Sequence, residues 1–242
     1  LEVVYEEKNR SMDNDSRKAS EALLAGLFKK HQYGTETTLG RVEHLKNPSI
    51  QSVVNYFNTY YVPNNMAVCL SGDFDPAEMI EKIDQTFGRF EPKEVPVYTP
   101  PVEDPISEPV VKEVFGPDAE SVTLAFRFPG VNSKEADLLT MLDMVLMNSQ
   151  AGLIDINLNQ KQQVIGAYSS PRMMKDYSYH SLGARPRQGQ TLEEVKDLLL
   201  SQIELVKKGE FQDWLPEAAL NNMKLDQIKS YESNWGRSFA YV

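Results

Sequence analysis

The stretch Leu45–Pro76, LKNPSIQSVVNYFNTYYVPNNMAVCLSGDFDP, decides how this chain is organised. Its apolar residues Ile50, Val53, Val54, Phe57, Tyr60 and Tyr61 recur at spacings of three and four, which draws one stripe on a helix. Ser49 stands where an N-cap belongs, and Pro63 ends the helix. The run Met66–Leu70 is continuously apolar but too short for a buried helix, so it is expected to be a buried strand. Gly72-Asp73 closes that strand and Asp75-Pro76 opens the next helix. The unit therefore reads helix, strand, helix.

Working outward, helices are expected over Leu1 to about Met12, Ser16 to about Gln32 and Pro76–Phe87, with Gly34 and Gly40 in a loop between the second and the opening unit. From Glu91 to Pro109 six prolines fall among acidic and small residues, and neither helical nor alternating pattern survives there. That segment reads as an extended interdomain linker. Beyond it, Val110–Phe115 and Ser121–Phe128 alternate like paired strands, as do Val164–Pro171 and Tyr177–Ala184. Helices are expected over Ser133–Met147, Gly152–Gln160, Thr191–Lys208 with Gly209 as its cap, and Asp213–Ser230 with Pro216 near its first turn. Residues Ala240-Tyr241-Val242 read as part of a last helix, so the chain is taken as an excised internal segment. The order strand-strand-helix-helix, twice over, implies an α+β fold with helices on one face of a mainly antiparallel sheet.

Composition limits the functional classes. The 242 residues are 41% apolar, enough for one large or two ordinary domains. A net charge of -10, with no basic cluster larger than Lys29, Lys30 and His31, argues against nucleic acid as partner. The lone cysteine, Cys69, cannot form an intramolecular disulfide. No apolar run reaches the roughly 18 residues needed to span a bilayer.

Two motifs in order resemble the insulinase/pitrilysin family of zinc metallopeptidases, which includes the mitochondrial processing peptidases. Gly40-Arg41-Val42-Glu43-His44-Leu45 and Tyr61-Val62-Pro63-Asn64-Asn65-Met66 stand where that family has Gly-x-x-Glu-x-Leu and Tyr-x-x-x-Asn-Met before a strand and Gly-Asp. Downstream, Leu153–Ser169 is similar to a helix-to-strand segment of the family, agreeing at Leu158, Lys161 and Gly166-Ala167-Tyr168 but lacking the usual Arg near its start.

The resemblance implies a processing-peptidase-like fold: residues 1–90 as the C-terminal half of a catalytic-type domain, 91–109 as linker, and 110–242 as a second, noncatalytic domain truncated at its end. It implies a hydrolase that cleaves peptides or unfolded polypeptides with zinc-activated water, the metal held by an inverted H-x-x-E-H helix and a distant Glu. No H-x-x-E-H is present, and His31, His44 and His180 lack metal-pair spacing. The resemblance thus places both histidine ligands and the base outside this segment, which alone is expected to be inactive and to hold no zinc. The one metal ligand it can supply is Glu7, in register with the family's Val-Val-x-x-Glu through Val3-Val4, although Glu6 is adjacent and Glu2, Glu6 and Glu7 also read as a solvated helical face. Implied partners are a polypeptide substrate and the remaining halves of the protein or a homologous subunit. The alternative is a noncatalytic peptide-binding or scaffold subunit of the same family. Substrate-binding residues and cellular compartment are not legible.

Other residues carry structural expectations. Asp13 and Asp15 flank a helix start and suit capping. Tyr56, Phe57, Tyr60 and Tyr61 suit a helix-to-sheet core, Met141, Met144 and Met147 a soft core stripe, and His180 a structural or exposed strand position. Arg172, Arg185 and Arg187 at strand ends suit solvated loops, with a peptide carboxylate as the other option.

Overall fold

The computed structural model describes residues 2–240. Leu1, Tyr241 and Val242, where a helix start and a helical chain end were expected, lie outside them. The architecture is α+β, and helices α1 (Glu2–Met12), α2 (Asp15–Leu27), α3 (Gln32–Thr35), α4 (Val42–Lys46), α5 (Ile50–Tyr60) and α6 (Pro76–Phe87) occupy the first third. They are followed by β1 (Val122–Pro129), α7 (Lys134–Leu146), β2 (Gly166–Arg172), β3 (Tyr177–Arg185), α8 (Leu192–Lys208), α9 (Leu215–Ser230) and α10 (Asn234–Phe239).

The chain divides into two compact units, one of residues 1–6, 39–99 and 224–242, the other of residues 7–38 and 100–223. In the first, Ser49 caps α5 by accepting the Ser52 amide, and Asp75 caps α6 through the Glu78 amide. Pro63 opens a 3-10 turn, Pro63–Asn65, and the Asn64 side chain pairs with both backbone groups of Lys93. The expected strand Met66–Leu70 does not form. A strand needs a neighbour for its N–H and C=O groups, and none among the described residues pairs with this run; Met66, Val68 and Leu70 are exposed. The aromatic cluster expected as core is likewise on the surface: Phe57 stacks on Tyr61 at 4.8 Å and Tyr56 lies 4.7 Å from Tyr60, with three of the four exposed.

The second unit is built on an antiparallel sheet ordered β1-β3-β2. Alternation on β3 sends Ser178, His180, Leu182 and Ala184 to the buried face. There Leu182 meets Val145, Leu146, Ile154, Leu158, Val195, Leu199 and Leu215 in one apolar core beneath α7, α8 and the start of α9. Each fully buried Leu or Ile contributes about 1.5–3 kcal/mol by leaving water. On the opposite face the Tyr168 ring lies across Gly183, where a Cβ would sit 2.3 Å from it, and its hydroxyl is 3.3 Å from Thr123 Oγ1 on the far strand.

Local chemistry fixes the ends. Thr191 and Glu194 exchange hydrogen bonds in a capping box at α8, and Gly209 closes it at φ +69, a left-handed position that suits glycine. Helix α2 stops at Leu27, not Gln32, because Phe28 turns inward and is fully buried. The chain can fold back there because Gly34 leaves room: a Cβ would come within 2.2 Å of Phe28 O. The cap of α2 is Asn14, not Asp13; Asp15 lies in the first turn, pairs with Lys18 at 2.7 Å and accepts the Asp118 amide. Val110–Phe115 forms no strand: among the described residues β1 pairs with β3 alone, and Val111 and Phe115 face solvent. The segment expected as a helix over Gly152–Gln160 winds as a π-helix at Asp155–Gln160. There the buried Asp155 carboxylate accepts the Asn148 and Gly152 amides. Asn159 uses both ends of its amide on Ala167: its Nδ2–H donates to the carbonyl at 3.0 Å and its Oδ1 accepts the N–H at 2.8 Å.

Candidate functional site

Glu7, the metal ligand expected from the sequence, is exposed on α1, and no hydrogen bond or ion pair engages it among the described residues. Its neighbour Lys8 is buried and reaches Glu21 and Thr37, each at 3.4 Å. No group of three or more His, Cys, Asp or Glu able to hold a metal occurs among the described residues. One exposed carboxylate does not make a tetrahedral zinc site, which needs three protein donors and an open position. The residues present therefore do not by themselves fit the zinc that the resemblance implies. Histidines do not change this: His44 is exposed on α4, and His31 and His180 are committed elsewhere.

His180, on β3, is fully buried, so its role is structural. Its Nε2 lies 3.0 Å from Asp143 Oδ1 on α7 and 2.9 Å from Ser169 Oγ on β2, while the Ser169 hydroxyl donates to the same Asp143 oxygen at 2.6 Å. The residue types are those of a nucleophile triad, but the geometry is not. In a working triad the acid and the hydroxyl sit on opposite ring nitrogens; here they share one, and the hydroxyl bonds the acid directly. The cluster clamps α7 to two strands. Met141 and Met144 on α7 and Met147 just past its end are half-buried, and the Ser169 amide lies 3.3 Å from Met147 Sδ.

A second polar cluster lies on the other side of the sheet. The turn after α2 presents the amides of Lys29, Lys30 and His31 to the Glu103 carboxylate at 3.1, 2.6 and 2.6 Å. Arg127 of β1 adds its guanidinium at 3.3 Å. Burial would raise the Glu103 carboxyl, yet the bonds from His31, Lys30 and Lys29 and the Arg127 charge outweigh it and hold its pKa below the ordinary value. His31 is fully buried next to this turn; its Nδ1 accepts the Tyr33 amide at 3.1 Å, which leaves Nε2 to face Asp176 at 3.2 Å. Phe28, Tyr33 and Tyr177 surround it with ring centroids 4.1–6.3 Å apart. Sequence reading marked Lys29, Lys30 and His31 only as an insufficient basic cluster and missed Glu103, Arg127 and Asp176, because an acidic residue between prolines reads as solvated linker. Arg172 and Arg185 end β2 and β3 at exposed positions, and Arg187 lines an open cleft with Glu194 and Asp197.

A profile described as the Peptidase M16 inactive domain matches residues 49–223. This chain belongs to the M16 peptidase family. A curated relative, the zinc protease PqqE of Helicobacter pylori, is 22% identical over 205 residues, which cover 82% of this chain and 45% of that protein. The crystal structure of a protease from Helicobacter pylori superposes with a TM-score of 0.81 at 21% identity, covering 99% of this chain and 59% of its own. A putative M16-like peptidase from Alicyclobacillus acidocaldarius gives 0.79 at 17% identity, covering 99% and 58%. A chain of the Candida albicans complex III2 structure gives 0.73 at 13% identity, with the same coverage. The fold of these proteins is thus shared over 99% of this chain, which spans about half the length of these relatives. No helix among the described residues is long and apolar enough to cross a membrane.

Proposed function

We propose that this chain is part of a zinc-dependent M16 endopeptidase that hydrolyses peptides or unfolded polypeptides, and that the segment alone is inactive. The observation that carries the reading is the match of residues 49–223 to the inactive-domain profile, joined to a shared fold with proteins named as proteases. In the same proposal, residues 1–90 belong to a catalytic-type domain, 91–109 link it to the next, and 110–242 form the noncatalytic domain. Zinc belongs to the complete protein. Glu7 is the single donor this segment contributes, and the remaining donors come from other polypeptide, either a longer chain or a homologous subunit. The substrate is an extended peptide.

The test is cleavage of an unstructured fluorogenic peptide by the complete protein, with and without chelator, in wild type, Glu7→Gln and Glu6→Gln. Chelator-sensitive cleavage lost in Glu7→Gln alone is expected. Cleavage that survives chelation overturns the zinc reading, and equal loss in both variants overturns the assignment of Glu7. A scaffold role is the second reading, favoured by the likeness to a chain of a complex III2 structure; a complete protein without any peptidase activity would establish it.

A further inference from the structure

The segment Pro100–Pro105, PPVEDP, has neither helix nor strand. Yet it is held like a bound peptide. Its Glu103 side chain enters the turn amides of Lys29, Lys30 and His31 and faces Arg127, and its Glu103 N–H donates to the Tyr177 hydroxyl at 3.0 Å. Arg127 also bonds the Asp104 carbonyl, and Lys30 Nζ meets the Asp104 carboxylate at 2.8 Å. The apolar side chain between these anchors, Val102, is 80% exposed, whereas Glu103 is 8% exposed. Attachment therefore rests on two acidic side chains, the buried Glu103 and the exposed Asp104, and a few main-chain bonds.

Part of the receptor side is held by contacts that do not involve the strap. His31 is fixed by Tyr33 and Asp176, and Phe28 packs on Tyr33 and Tyr177. A cavity of about 490 Å³ continues alongside, bounded by Pro100 and Val102 of the strap and by Arg127, Phe128, Lys175 and Tyr177. Proline on both sides keeps an acidic segment extended, so little chain entropy is lost on docking.

We infer that this groove is a recognition site for an extended, proline-flanked acidic peptide, filled by the chain's own Pro100–Pro105 strap and open to exchange with a second such peptide. The inference goes beyond the peptidase reading and does not depend on zinc or on cleavage. The carboxylate provides the specificity: three amides and a guanidinium converge on a planar, doubly accepting anion.

Amide hydrogen exchange read by NMR tests it. In Glu103→Gln the Lys29, Lys30 and His31 amides should exchange at least tenfold faster, while β1 and β3 amides change less than twofold. A synthetic PPVEDPI peptide should restore protection in that variant, and the same peptide with Gln for Glu should not. Unchanged exchange at the three amides overturns the inference. So does equal acceleration throughout the sheet, failure of the variant to fold, or protection indifferent to the peptide's carboxylate, because each makes the strap an integral part of the fold or the groove unselective.

Discussion

Asn159 takes the place of a missing strand. Its side-chain amide bonds both the N–H and the C=O of Ala167 on the free edge of β2, at 2.8 and 3.0 Å. Each bond contributes about 1 kcal/mol net, so Asn159→Ala should cost about 2 kcal/mol. Asn159→Asp is the more revealing change. Its carboxylate still accepts from the Ala167 amide but now faces the Ala167 carbonyl with no proton between them. At neutral pH it should cost about 3 kcal/mol, more than alanine, by adding repulsion to the lost bond. Protonation gives the new carboxyl one donor and one acceptor, the pattern of the original amide. Its folded-state pKa is therefore raised above the unfolded value, so the penalty is full above the folded pKa and fades as pH falls toward the unfolded one. Urea unfolding followed by circular dichroism at pH 7 and pH 4, each variant against wild type at the same pH, reads this out. With a slope of roughly 3 kcal/mol/M, the midpoint should fall by about 1 M in Asn159→Asp at pH 7 and recover most of it at pH 4. An aspartate variant no worse than alanine at pH 7, or equally damaged at both pH values, refutes the pairing as the source of the effect.

Three further outcomes are expected. Leu182→Ala removes a fully buried side chain from the centre of the core and should lower stability by about 3 kcal/mol in the same urea assay. Gly209→Ala places a Cβ at φ +69 and should cost about 1 kcal/mol, seen as a lower thermal midpoint with an unchanged far-ultraviolet spectrum. The Glu103 carboxyl has a depressed pKa, so its contribution is complete above the ordinary carboxylate range and is lost as pH falls through the depressed value. The stability gap between wild type and Glu103→Gln should accordingly be largest at neutral pH and narrow in acid.

Elements whose information is local were legible in the sequence. Helices α5, α6, α7 and α8 appear with their stripes and caps, and Ser49, Asp75 and Gly209 do what their residue types suggest. Strands β1, β2 and β3 were found within two residues of their ends. Met66–Leu70 and Val110–Phe115 went wrong because an apolar or alternating run states a willingness to pair and says nothing about whether a neighbour is there. Phe28 ended α2 early through contacts with Tyr33 and Tyr177, the latter far away in sequence, which no window around residue 28 contains. Glu103 was hidden for the same reason: its partners lie on two distant pieces of chain, the turn 29–31 and β1, and only folding brings three amides and one guanidinium to it.

The Tyr168 ring over Gly183 has a consequence for assembly of the sheet. A bare Cα under the ring and a hydroxyl opposite it coincide in only one alignment of the three strands, with Tyr168, Gly183 and Thr123 abreast. Sliding β2 by two residues along β3 would bring the ring onto Ser181 or Arg185, where a Cβ already stands. Tyrosine and glycine thus act as a gauge that admits the correct pairing and rejects its nearest competitors, on a face where no buried apolar pattern could make that choice.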